Sequence, residues 1–125
     1  MERKETYPVE AIFKHVGDAI PDRRVKNEVD FDGDLIKMNS QRYHLFKHKG
    51  CACKCGVVGT FFAKERARHA NPGRWHFNLY AIKEDGTEVM MTKDHIVPKS
   101  KGGPDHFDNY EPMCTECNSN KGNKF

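Results

Sequence analysis

Along this 125-residue chain the spacing of apolar positions changes several times, and each change marks an element. In "YPVEAIFKHVGDAI", Val9, Ile12, Phe13, Val16 and Ile20 recur at helical spacing, which predicts a helix stopped by Pro21. "VDFDGDLIKM" alternates weakly about an Asp-Gly pair and predicts a small hairpin. Its Asp30, Asp32 and Asp34 lack the other ligands of a twelve-residue calcium loop, so they read as a turn. "NSQRYHLFKHK" predicts a short helix capped by Asn39 or Ser40, with Tyr43 and Phe46 on one face.

The second half is more regular. "RWHFNLYAI" (74–82) and "EVMMTKDHI" alternate on either side of "KEDGT", which predicts a hairpin with Asp94-His95 at the far end of its return strand. "VPKSKGGPDHFD" reads as a turn-rich loop and "NYEPM" as a short strand. A helix starting near Cys114–Thr115 then carries Cys117, Asn118 and Lys121 until Gly122 ends it. Mixed strands and helices in a short chain predict an α+β domain. Length favours one domain over 1–125, with a helical and hairpin region at 1–50 and the more regular part at 51–125.

Composition narrows the classes. Only 37% of residues are hydrophobic and 31% are charged, a light core near the size where a structural metal helps. No stretch approaches the roughly 20 apolar residues of a membrane span. "MERKETYPVE" lacks the apolar segment of a secretory signal, so a cytoplasmic protein is expected. Five cysteines are an odd number for a disulfide framework and read as metal ligands plus a spare thiol. Between Leu35 and Lys83 ten Lys/Arg face one acid, Glu65, a local charge of +9 within an overall +3. Such a block suits phosphate binding, and Arg66, Arg68 and Arg74 are its candidate contacts. Its aromatics, Tyr43, Phe46, Phe61, Phe62 and Trp75, serve equally well as core.

Cys114-x-x-Cys117 is half of a tetrahedral zinc site, and "CACKCG" supplies the other half. Cys55, followed by Gly56, is the firmest ligand there, because a glycine lets the next amides turn toward sulfur. Cys51 is its partner by the usual spacing, with Cys53 as the competitor. The expected staple is therefore Cys51, Cys55, Cys114 and Cys117, with Cys53 as the alternative to Cys51.

An acid-His pair, a Gly-Gly loop, an Asn and a Cys-x-x-Cys with a polar residue and a Lys behind it occur in that order in "KDHIVPKSKGGPDHFDNYEPMCTECNSNKG". This stretch resembles the HNH (ββα-metal, or His-Me finger) nuclease motif, and the whole chain is similar to small phage-encoded HNH proteins. Asn118 stands at the third motif position, where His is usual. The resemblance implies a ββα-metal core within 51–125 and a divalent-metal-dependent DNA endonuclease. His95 would be the general base, and Asp94 and Asn118 would hold Mg²⁺ or Mn²⁺. Asn109 would pin the loop and orient His95, and Lys121 would contact a phosphate. Phosphodiester hydrolysis needs an activated water and counter-charge for the developing phosphorane, and an imidazole that is neutral near physiological pH can take the proton. Such sites meet duplex DNA at its minor-groove side, so low sequence specificity is expected. The other histidines read as surface residues; His106, in the loop, lacks an Asp neighbour at a predicted strand end. The competing function is a non-catalytic, zinc-stapled nucleic-acid-binding protein, which would need none of Asp94, His95, Asn109 and Asn118. Oligomeric state is left open.

Overall fold

The computed structural model describes residues 1–68 and 73–121. Its strands are β1 (Glu2–Pro8), β2 (Glu28–Phe31), β3 (Asp34–Lys37), β4 (Gly59–Arg66), β5 (His76–Ile82), β6 (Glu88–His95) and β7 (Tyr110–Cys114). Its α-helices are α1 (Val9–Phe13), α2 (Gln41–Lys49) and α3 (Thr115–Lys121). Five strands form an antiparallel sheet in the order β1-β4-β5-β6-β7, and β2-β3 is a separate hairpin. The class is α+β. No helix among the described residues is long and apolar enough to cross a membrane.

The register sets the two faces of the sheet. Phe62 lies opposite Leu79 and Lys64 opposite Phe77, and these point into the core with Ala81, Val89 and Met91. Tyr43, Leu45 and Phe46 of α2 and Ile12 close that core from the other side. On the outer face Glu65, Asn78 and Tyr80 form a buried polar network in which both Asn78 Nδ2 and Tyr80 Oη donate to Glu65 Oε1 at 2.7 Å. Arg3 donates to the other Glu65 oxygen at 2.8 Å. Lys64 is fully buried on the core face, held by Glu5 (2.6 Å), Asp34 (2.7 Å) and the Phe31 carbonyl (2.7 Å). Asp34 is thus a lysine partner, and Asp30 Oδ1 accepts from Gly33 N in the β2-β3 turn.

Strands are present where they are expected at 74–82, 88–96 and 109–113, the last as Tyr110–Cys114; the hairpin expected in 29–38 is β2-β3, and of Asn39 and Ser40 it is Ser40 that caps α2. The N-terminal helix differs. Tyr7 and Pro8 belong to β1, α1 ends at Phe13, and tighter i+3 bonds at His15 and Val16 wind the chain toward Gly17. Ile12 and Val16 are buried, whereas Ile20 is 55% exposed, so the helical spacing holds for its first turns alone. Gly122, expected to end α3, lies outside the described residues. His44 also departs from the surface reading: it is buried beside Phe107 and His48.

β5 and β6 pair only at residues 80–82 and 88–90, and then separate. The backbone groups this frees on Phe77 are taken by α2: the amide donates to Tyr43 Oη at 2.8 Å, and the carbonyl accepts from Arg42 at 3.0 Å. Beyond the split, β6 pairs with β7 instead, with His95 opposite Tyr110 and Met91 opposite Cys114.

Candidate active site and cysteine cluster

β6 carries the acid-His pair between two helices. Strand alternation sends Thr92 and Asp94 to one face, where α3 lies. There Asn118 Nδ2 donates to Thr92 Oγ1 at 3.2 Å, and Lys121 Nζ donates to Asp94 Oδ2 at 2.8 Å and to the His95 carbonyl at 2.6 Å. Asn118 and Lys121 sit one turn apart on α3, which is why one helix face reaches both residues. Lys93 and His95 point to the α2 side. The Lys93 ammonium lies 4.1 Å from the Tyr110 ring centroid and donates to Gln41 Oε1 at 3.1 Å. The His95 ring meets Tyr110 edge-on, at 5.1 Å and 90°.

The imidazole is held by Asp105. His95 Nε2 lies 2.7 Å from Asp105 Oδ1, and Lys99 lies 3.0 Å from the other oxygen. The bond to His95 first, and Lys99 next, keep the Asp105 carboxyl below the usual carboxylate range. An ionised carboxylate can only accept, so Nε2 carries a proton, and in the neutral ring the lone pair is at Nδ1. Asn109 is buried and serves the loop: its Oδ1 accepts from Val97 N at 2.9 Å, and its Nδ2 donates to the Val97 and Pro104 carbonyls at 3.1 and 3.0 Å. None of these bonds reaches His95; the side chain that orients the ring is Asp105. Two glycines let the loop fold this tightly. Gly102 adopts φ +85°, and a Cβ on Gly103 would lie 1.8 Å from the Val97 carbonyl oxygen.

Four thiols converge where β7 enters α3. The Sγ atoms of Cys53, Cys55, Cys114 and Cys117 lie within 4.8 Å of one another, with Cys55 and Cys114 at 3.9 Å. A tetrahedral zinc with bonds of about 2.3 Å has ligand–ligand edges of about 3.8 Å, so the set fits that ion. The spacing rule chose the wrong N-terminal partner: Cys53 belongs to the group, and Cys51 does not. The tight turn begins at Cys53, whose carbonyl accepts from Gly56 N at 2.9 Å with Gly56 at φ +103°. Cys51 lies just past α2, and its thiol donates to the Phe46 carbonyl at 3.7 Å. Burial pushes the Cys51 thiol up to about 11. Burial also opposes ionisation of Cys53, but the Cys114 and Cys55 amides and neighbouring thiols prevail and hold it at about 7.

The arginines expected to contact phosphate lie around the β4-β5 end. Arg66 bonds Glu2 at 3.0 Å and lies over the Trp75 ring, Arg74 is 3.9 Å from Glu28, and Arg68 is exposed. Tyr43, Phe46 and Phe62 are core; Phe61 lies against Arg3 on the outer face, whereas Trp75 packs against the core edge under Lys4 and Arg66. Sequence reading missed Asp105, although it is one of only two acids in the loop between His95 and Asn109. It also missed Lys93, whose alternation with Asp94 sets it on the His95 side. Burial and then the nearby Arg23 charge hold the Lys93 ammonium below its usual range.

The family model for HNH endonucleases matches residues 81–124, the segment that supplies β6, the pinned loop, β7 and α3. No curated protein and no solved structure matches the chain.

Proposed function

We propose that this chain, whose residues 81–124 carry an HNH endonuclease domain, is a divalent-metal-dependent endonuclease that hydrolyses DNA phosphodiester bonds as a single unit over residues 1–125. The observation that carries the reading is the His95–Asp105 pair at the end of β6, with Asp94 and Asn118 on the opposite face. His95 Nδ1 takes the proton of the attacking water, and Asp105 stabilises the imidazolium that results. Lys121, one helical turn from Asn118, offers positive charge to a phosphate oxygen once it leaves Asp94.

Asp94 and Asn118 are suited to hold a hard cation, Mg²⁺ or Mn²⁺. The Lys121 ammonium already stands against the Asp94 carboxylate, as a cation would, and Asn118 spends its Nδ2 on Thr92, which leaves Oδ1 as donor. Such an ion, when bound, neutralises charge on the phosphate and on the departing oxygen. Cys53, Cys55, Cys114 and Cys117 are suited to a structural zinc, which would fix α3 against the sheet.

One feature favours the competing reading of a zinc-stapled binder: the Lys121–Asp94 pair neutralises the carboxylate without a divalent ion. Supercoiled plasmid incubated with the protein and Mg²⁺ or Mn²⁺ separates the two. Nicked or linear product is expected, and His95→Ala should slow its formation by about 10²–10⁴-fold with DNA binding retained. DNA binding without cleavage in either metal would establish the binder instead.

A further inference from the structure

Two residues before His95 on β6, Lys93 lines a cleft of about 450 Å³ together with Arg23, Lys37 and Arg42, with no acid in its lining. Among the described residues, none of these four cations lies within 4.0 Å of a carboxylate. Most other cations among the described residues are paired: Arg3, Lys4, Arg24, Lys26, Lys47, Lys64, Arg66, Arg74, Lys83, Lys99 and Lys121 all have acidic partners. Glu28, directly across the ladder from Lys37, goes to Lys26 and Arg74. Two of the four are also fixed in place by neutral groups. Arg42 is gripped by Asn78 Oδ1 at 3.1 Å and the Phe77 carbonyl at 3.0 Å, and Lys93 by Gln41 Oε1 and the Tyr110 ring. The positive end of α2 opens into the same cleft, and its first turn has no acid to offset it. Cations that share a concave surface with no acid in its lining repel one another, and a multivalent anion relieves that repulsion.

We propose that this cleft is a subsite for the phosphodiester backbone of the nucleic acid that His95 acts on. The assignment rests on the nuclease reading for its ligand, but its geometry stands on the four cations. Lys93 and His95 share one face of β6, two residues and so about 7 Å apart along the strand. A chain that places one phosphate at His95 therefore brings a neighbouring phosphate over Lys93 and continues toward Arg42, Lys37 and Arg23. A second cleft of about 320 Å³ shares Arg23 and Lys37 and runs to Arg74, but there Arg24, Lys26 and Arg74 are spent on Asp22 and Glu28. Of these two clefts, only the first has lining cations that all lack an acidic partner, and it lies apart from the segment matched by the family model except at Lys93.

The test is binding of a fluorescent DNA duplex to the full-length, zinc-loaded protein across a salt series, without Mg²⁺ or Mn²⁺. Arg23 and Lys37 are exposed, so Arg23→Gln/Lys37→Gln removes cleft charge without touching the core. This variant is expected to bind about 10-fold more weakly, with a log–log salt slope shallower by about two. Lys14→Gln/Lys54→Gln removes equal charge from exposed positions outside the cleft and should change the slope by less than half as much. Equal losses in both variants, or none in the cleft variant, would overturn the subsite. So would a cleft variant that loses competition by inorganic phosphate yet binds duplex as before, which marks a small-anion site. Plasmid cleavage is read separately: a protein that binds through the cleft but cuts nothing refutes the nuclease reading and leaves the subsite standing.

Discussion

Asp105 gives His95 its direction, because a carboxylate at Nε2 leaves Nδ1 as the basic atom. Asp105→Asn should slow cleavage by about 10- to 100-fold while zinc content stays as it was, since Asp105 supports the ring and lies outside the cysteine cluster. Full cleavage by Asp105→Asn would reduce the pair to a surface contact. The cysteines divide at the same scale. Cys53→Ser should lose zinc by metal analysis, whereas Cys51→Ser should keep about one ion per chain, because its thiol bonds a helix carbonyl. Glu65 offers a pH prediction. Burial pushes its carboxyl up, but Asn78, Tyr80 and Arg3 together hold it below the usual range. Its folded-state value thus lies below its unfolded value, so its contribution is present above about pH 4.3 and is lost as pH falls through the lowered value. Glu65→Gln should cost about 2 kcal/mol at pH 7 and flatten the loss of stability from pH 5 to pH 3, as read by denaturant titration.

Among the elements, legibility in the sequence followed whether apolar and polar residues alternate along the strand. β5 and β6 alternate, and the hairpin they form could be read directly, together with β7, α3 and the Ser40 cap. β4 could not: Phe62, Ala63, Lys64 and Glu65 are all buried, so its sequence carries no period of two. β1 escaped for the opposite reason, being an edge strand of mostly exposed charged residues whose order comes from β4. The motif fixed where Asp94, His95, Asn109, Asn118 and Lys121 sit along the chain. It could not reveal Asp105, which reaches His95 through a loop closed by Asn109 and by the backbone contact at Gly103. Nor could spacing choose Cys53, because the turn around Gly56 decides which sulfur faces α3. The cleft is least visible of all, since Arg23, Lys37, Arg42 and Lys93 come from separate stretches of the chain that meet only in the fold.

Taken whole, the molecule joins α3 to the rest of the fold through the four-thiol cluster. α3 has seven residues, too few to hold a helix in water by itself, and Cys117 immediately precedes Asn118. Cys55 and Cys114 meet across 59 positions of chain, so a zinc between them closes a long loop around β4, β5 and β6. With zinc bound, that closure would also govern how the folded state comes apart. The chain ends of the loop could not separate, and global opening would have to wait for a thiolate to leave the metal. The waiting time would then be set by metal exchange and much less by the sheet. Unfolding in fixed denaturant should speed up several-fold when a strong zinc chelator is added, and Cys53→Ser should already unfold at the fast rate and ignore the chelator. Equal rates with and without chelator would mean that the sheet opens first and carries the loop with it.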